Sequence, residues 1–276
     1  MIVHLIDGTY ELFRHFYGVR RFKKTDPPFG AVSGVLRGVL QLINDGATHV
    51  GVATDHVIES FRNNLWAGYK TGAGIEPVLR SQFVPLEEAL LTMGVTVWPM
   101  VELEADDALA SAAHLASQDE RVEKICIWTP DKDLAQCVVE ERVVQVDGRR
   151  GIIRNEEGVQ AKFGVPPKLI PDYLALVGDA ADGYPGIAGC GAKTAASLLN
   201  RYGPIESFPP DVLKDKQPEA LLFKDLATLR TDAPLFDDVD ELLWRGTTRK
   251  FAALAEKIGE PRLAVRAREL EKKLSA

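Results

Sequence analysis

Cysteine is scarce. Cys126, Cys137 and Cys190 are the only three in 276 residues, and no two of them stand at CxxC spacing. An odd, scattered set excludes a disulfide framework and a zinc knuckle, and fits a reducing, cytoplasmic setting. Long apolar runs are missing too. The first, in MIVHLIDGTY, stops at Asp7 without a basic leader, which is too short for a signal peptide. No later stretch approaches the roughly 18 apolar residues of a spanning helix, so no membrane role is expected. The five histidines form no ligand pair at metal spacing, and neither GxSxG nor GxxxxGK[ST] occurs. Those absences exclude histidine-ligated zinc, a serine nucleophile elbow and a phosphate-binding P-loop. A basic excess is also lacking, with 33 Lys and Arg against 40 Asp and Glu, a net charge of -7. Taken alone, that balance argues against polyanion binding. What remains is 46% apolar sequence, enough for one large packed domain or two modest ones.

Short β-branched runs alternate with helical patterns through the first half. IVHLI, THVGVAT, VTVWP, KICIWT and RVVQV read as buried strands. Amphipathic helices are expected over Gly34–Ile43, Val84–Met93 and Ala105–Ala116. The alternation predicts an α/β fold with a mostly parallel central sheet flanked by helices. From Phe163 onward the pattern becomes short helices joined by Gly and Pro turns. A boundary is therefore placed near Gly164, with an α/β core over 1–163 and a helical region over 164–276. The Gly-rich YKTGAG, residues 69–74, reads as a loop or crossing element.

The acids are distributed unevenly. Asp7 and Asp55 follow the first two strands, Glu104, Asp106 and Asp107 open a helix in LEADDALA, and Asp131 and Asp133 follow the KICIW strand. Asp179 and Asp182 lie in the turn VGDAADGYPG. Singly, each reads equally well as a helix cap or a turn residue. In a parallel sheet, however, the first seven converge on one rim, because strand carboxyl ends share an edge. Such crowding requires raised pKa values or bound cations. Oxygen ligands without His or Cys select hard ions, Mg²⁺ with Mn²⁺ as a substitute. The number of carboxylates suits two ions roughly 4 Å apart, gripping a phosphodiester.

A second signal lies in GIAGCGAKTAASLLNRYG, residues 186–203, which reads as a helix, a Gly-rich hairpin and a helix starting near Ala192. Gly186, Gly189 and Gly191 would let backbone approach a ligand closely, with Lys193 and Thr194 at a helix N-terminus that favours phosphate. A helix-hairpin-helix at about 184–201 would grip a DNA backbone without reading sequence. Arg14 follows Asp7 among aromatics on YELFRHFY, and Arg62, Tyr69 and Lys70 flank the Gly-rich segment. Residues 245–276 carry nine basic against four acidic residues, readable as a solvated face or as a phosphate-binding tail.

The stretches LIDGTYELFRHFY, FGAVSGVLRGVL, FRNNLWAGYK, LEADDALA, TPDKDLAQ, FGVPPKLIPDYLALVGDAAD and PGIAGCGAKTA stand in the motif order of one family. The chain resembles the 5′ nucleases: bacterial and phage 5′–3′ exonucleases, flap endonucleases and the 5′ nuclease domain of bacterial DNA polymerase I. The resemblance runs from Ile2 to about Leu243. It implies a PIN-like core and metal-dependent hydrolysis of DNA at a 5′ flap, nick or free 5′ end, by a monomer. It places Asp7, Asp55, Glu104, Asp106, Asp107 and Asp131 around one metal region, with Asp133, Asp179 and Asp182 completing a second. Arg14 and Lys70 would contact the scissile or neighbouring phosphate. Arg62 and Tyr69 would stand on the DNA side, Tyr69 near the base of an arch over 56–76. The Gly186–Thr194 hairpin would hold duplex, with K⁺ on its carbonyls. Three positions depart from the pattern: Ala73 replaces an arginine, Pro130 a glycine and Gly183 an asparagine. Competing expectations are a DNA-binding protein with decayed catalysis and a PIN-type ribonuclease.

Overall fold

The five β-branched runs form strands because their apolar residues can be covered on both faces. In the computed structural model, which describes residues 1–20 and 28–274, they are β1 (Ile2–Asp7), β2 (His49–Asp55), β3 (Thr96–Met100), β4 (Lys124–Trp128) and β5 (Val143–Asp147). All five are parallel, in the order β3-β2-β1-β4-β5. A short β6 (Ile152–Arg154) adds antiparallel to β5 through a turn, a hairpin the apolar pattern did not reveal. Register places Asp7 opposite Ala53 and Ile6 opposite Trp128, so the carboxyl ends of β1, β2 and β4 share one edge.

Helices α1 (Gly8–Arg20) and α2 (Gly30–Asn44) follow β1, and two one-turn helices, α3 (Arg62–Leu65) and α4 (Pro77–Arg80), bracket the Gly-rich segment. Next come α5 (Phe83–Thr92) and α6 (Ala105–Ser117). Alternation along β1 divides the core. Ile6 points to α1, α2 and α5, with Leu12, Leu36, Leu40, Leu86 and Leu90. Val3 and Leu5 point to α6, with Ala108, Leu109 and Ala112. Alanines on the buried side of α6 let it lie close to the sheet.

Helix α7 (Glu156–Phe163) is capped by Asn155 and ends at Gly164 in the left-handed conformation. Beyond it α8 (Ile170–Val177), α9 (Ala192–Tyr202), α10 (Pro210–Leu213) and α11 (Gln217–Ala227) enclose a second core of Leu174, Leu199, Ile205 and Phe223. Tyr69 and Ala135 from the first half join that core.

The residues after 164 do not all join this second core. Leu229, Val239 and Leu242 pack beside α6. Trp244 enters the α2–α5 core and donates its backbone N–H to Thr48 O at 2.8 Å. Helices α12 (Phe251–Lys257) and α13 (Pro261–Leu274) add Phe251, Leu263 and Ala267 to the same core. Lys273 reaches Asn44, and Glu271 accepts from Thr247 at 2.6 Å, next to the amino-terminal ends of the strands. The basic tail therefore packs along the α2–α5 side of the core. Its apolar stripe required a partner, and the exposed face of α2 supplies it. Among the described residues no helix is long and apolar enough to cross a membrane.

Candidate active site

The carboxyl edge of the sheet gathers the acids through ordinary backbone requirements. Asp7 ends β1, where its Oδ1 accepts the Tyr10 N–H at 2.8 Å and its Oδ2 accepts the Thr129 hydroxyl at 3.0 Å. Asp55 ends β2 and accepts the Ala105 N–H at 2.8 Å, tying that strand to the start of α6. Asp131 is exposed just beyond β4, accepting the Asp133 N–H at 3.0 Å. Asp106, half-buried in the first turn of α6, faces Asp131 and Asp7.

Crowding shows in the protonation energetics. Burial, with Asp55 and Asp131 adding repulsion, pushes the Asp7 carboxyl up to about 7. Burial raises Asp106 well above the carboxylate range, Asp131 and Asp7 contributing. Asp55 rises through burial as well, against the pull of Lys70.

The remaining acids form a tighter group. Asp133, Asp179 and Asp182 are all buried and offer carboxylate oxygens within 4.8 Å of one another. Burial, then Asp131, Asp182 and Asp179, raises Asp133 well above its ordinary value. Asp133 Oδ1 is buried without a hydrogen-bond partner, and so is the Tyr184 hydroxyl, whose surroundings are Asp133, Asp179 and Asp182. A buried orphan oxygen is costly unless something fills the space beside it. An all-oxygen set of this kind fits a hard divalent cation.

Two lysines reach this group. Lys70 Nζ lies 2.7 Å from Glu104 Oε2 and 2.9 Å from Asp182 Oδ1. Lys132 Nζ pairs with Asp179 Oδ2. Burial works against the Lys70 charge, but Asp182 and Glu104 outweigh it and hold the ammonium well above the ordinary lysine value. Glu104, which burial alone would raise, is held low by Lys70 and Arg62.

Several expected site residues lie elsewhere. Asp107, expected near a metal, is fully buried and already accepts four hydrogen bonds: two from Arg62 at 2.7 Å, and the N–H groups of Glu104 and Arg230 at 2.9 and 2.8 Å. That exhausts a carboxylate's capacity, leaving no lone pair for a cation. Arg62, expected on the DNA side, is only 1% exposed and spends its remaining donors on Glu104, Leu226 O and Thr228 O. It fastens the end of α11 to the start of α6. Tyr69 is also buried, its hydroxyl 3.3 Å from Glu104, so its ring is not free to stack on a base. Arg14 stands beside the carboxyl ends of β4 and β5 rather than in the acidic cluster. It lies on the α1 side of β1, where Glu11 holds its guanidinium, and it lines a groove with Trp128 and Arg149.

The Gly-rich segment also differs from its reading. Residues 178–191 are an irregular loop, and the first helix of the pair is α8, ending earlier at Val177. Gly186 is buried rather than exposed to a ligand, and a Cβ there would lie 2.3 Å from Gly178 N. Gly189, Gly191, Lys193 and Thr194 are exposed around the start of α9. Gly183 has φ +85°, and a Cβ on it would fall 2.0 Å from Gly68 O, so the crossing segment excludes the asparagine of the family pattern. Sequence reasoning missed Lys132 and Tyr184, although Lys132 stands between two singled-out acids in TPDKD.

Hard-cation ligands at the carboxyl edge of a parallel sheet, with no protein nucleophile among them, define a class: metal-binding α/β proteins equipped for phosphate chemistry. Comparison with known families narrows it. A model described as the 5′-3′ exonuclease N-terminal resolvase-like domain matches residues 2–164, and one described as the 5′-3′ exonuclease C-terminal SAM fold matches 165–250. The chain belongs to the 5′-3′ exonuclease family. It is 35% identical over 208 residues to a 5′-3′ exonuclease of Aquifex aeolicus, covering 74% of this chain and 71% of that protein. It is 33% identical over 272 residues to DNA polymerase I of Pseudomonas aeruginosa, covering 91% of this chain but 29% of the polymerase. The fold is shared with T5 5′-exonuclease carrying zinc, at TM-score 0.65, 15% identity and 99% coverage of both chains. It is shared also with the catalytic core of Rad2 in complex with DNA substrate, at TM-score 0.62, 14% identity and coverage of 96% and 91%.

Proposed function

We propose that this chain is a Mg²⁺-dependent 5′–3′ exonuclease and 5′ flap endonuclease acting on DNA, working as a monomer in the cytoplasm. The observation that carries the reading is the buried, unpartnered Asp133 Oδ1 among carboxylates that converge within 4.8 Å. Asp133, Asp179 and Asp182 would hold one ion, and Asp7, Asp55, Asp106 and Asp131 would surround another, with Mn²⁺ able to replace Mg²⁺. Bound there, the ions would supply an activated water and neutralise charge on the phosphodiester.

The protein's own part is positioning. Lys70, held over Glu104 and Asp182, presents an ammonium at the edge where a phosphate would arrive. Glu104 in turn is fixed by Ser60 at 2.6 Å and by Arg62, so the lysine docks on a rigid carboxylate. The exposed N-terminus of α9, with Gly189, Gly191, Lys193 and Thr194, suits backbone phosphates of a duplex, and K⁺ on the loop carbonyls would complete that grip. Together these groups fit DNA with a 5′ flap, a nick or a free 5′ end.

The test is product mapping on 5′-labelled flap, nicked and single-stranded DNA, comparing the wild type with Asp131→Asn. The variant should lose turnover by several orders of magnitude while keeping flap binding in Ca²⁺. Equal loss of binding and turnover would assign Asp131 to folding or to substrate binding instead.

A further inference from the structure

Lys132 has no part in the reaction as read above, yet it is built into the centre of the site. It lies between Asp131 and Asp133, and its ammonium is paired with Asp179 Oδ2. The other oxygen of Asp179 is committed to the loop, accepting the Ala181 N–H at 2.9 Å. Oδ2 is thus the oxygen Asp179 can offer to a cation, and Lys132 holds it. Asp182 offers its Oδ1 to Lys70 in the same way. Only Asp133, 6% exposed, keeps a buried oxygen with no partner.

We propose that Lys132 is an internal counter-cation of the Asp133–Asp179–Asp182 cluster, competing with the divalent ion for Asp179 Oδ2. This rests on the metal reading of the cluster given above. Two consequences follow from the charges. In the DNA-free protein the cluster binds its ion more weakly than its carboxylates alone would, because filling it requires the ammonium to leave. A phosphate at the rim, by attracting that ammonium, strengthens ion binding, so DNA and the ion bind cooperatively. Lys132 is accordingly a positioning residue that acts through Asp179.

The experiment is Mn²⁺ titration of the full chain without DNA, following free Mn²⁺ by electron paramagnetic resonance. Asp182→Asn identifies the binding phase that belongs to the cluster. Lys132→Met and Lys132→Gln should tighten that phase by roughly tenfold or more, as expected when one like charge leaves a buried site. Lys132→Arg should stay near the wild type. The tie from Asp179 Oδ1 to Ala181 preserves the loop in all three. Metal-free melting temperature reports folding, and saturating Mn²⁺ should raise it further in Lys132→Met than in the wild type. Unchanged or weaker binding in folded Lys132→Met and Lys132→Gln, with the phase still lost in Asp182→Asn, would overturn the competition while leaving the metal site intact. Absence of any phase sensitive to Asp182→Asn would overturn both.

Discussion

Arg62→Ala separates a buried structural arginine from one that touches DNA. In the structure Arg62 donates to Asp107 twice at 2.7 Å, to Glu104 at 3.1 Å, to Leu226 O at 2.8 Å and to Thr228 O at 3.1 Å. Asp107 is fully buried, so truncation strands an ionised carboxylate with only two backbone donors. Breaking such a pair from one side costs about 3–5 kcal/mol. At about 2–4 °C per kcal/mol in a chain of this size, the melting temperature should fall by roughly 10 °C. Arg62→Met combined with Asp107→Leu should recover part of that loss, because both charges leave together while the Glu104 and Arg230 N–H groups lose their acceptor. Urea unfolding gives the stability, and flap binding in Ca²⁺ across a salt series gives the number of phosphate contacts. The folded variant should keep the wild-type salt slope. Wild-type stability together with a slope shallower by about 0.9, one phosphate, would refute the structural assignment and return Arg62 to the DNA interface.

Other outcomes follow from the same geometry. Asp7, raised to about 7 by burial and its acidic neighbours, binds its proton more tightly folded than unfolded, and Asp55, Asp106, Asp133 and Asp182 shift in the same direction. Stability from these groups is present below pH 4 and is lost as pH rises through 7, so metal-free protein should melt lower at pH 8 than at pH 5. Saturating Mg²⁺ should remove most of that difference, and a metal-free melting temperature that rises over this interval would contradict the crowding. Gly183→Asn should lower stability by about 1–3 kcal/mol and reduce turnover, because the new Cβ strikes Gly68 O near Lys70; a wild-type melting temperature would count against it. Arginine at exposed Ala73 should raise turnover on flaps if the crossing segment lacks a phosphate contact, and an unchanged rate would show that another basic residue supplies it.

The five parallel strands were legible because β-branched runs buried on both faces have few other uses, and the three helices expected between them, α2, α5 and α6, differ from expectation only at their ends. The acidic rim was legible for the same reason, since strand ends in a parallel sheet share an edge. What the sequence could not convey is competition for donors and acceptors. Asp107 and Asp106 are adjacent in LEADDALA, yet one helical step of about 100° turns the first into the core beneath Arg62 and leaves the second facing the site. Arg62 and Lys70 flank one Gly-rich segment as similar cations, and only tertiary packing separates an anchor from an ammonium at the cluster. The place of the basic tail was hidden for a related reason: charge is visible along a chain, but the core that its apolar stripe joins is not. Packing of α13 against α2 sets that stripe along the length of the helix, from Arg37 to Asn44.

Phosphodiester hydrolysis at the carboxyl edge of the sheet should depend on a divalent metal ion. Its most direct test is cleavage of a 5′-labelled flap duplex by protein stripped with EDTA and then titrated with Mg²⁺. Cleavage should be absent in EDTA, and short 5′ products should appear as Mg²⁺ is restored. Cleavage that persists undiminished in EDTA would contradict it.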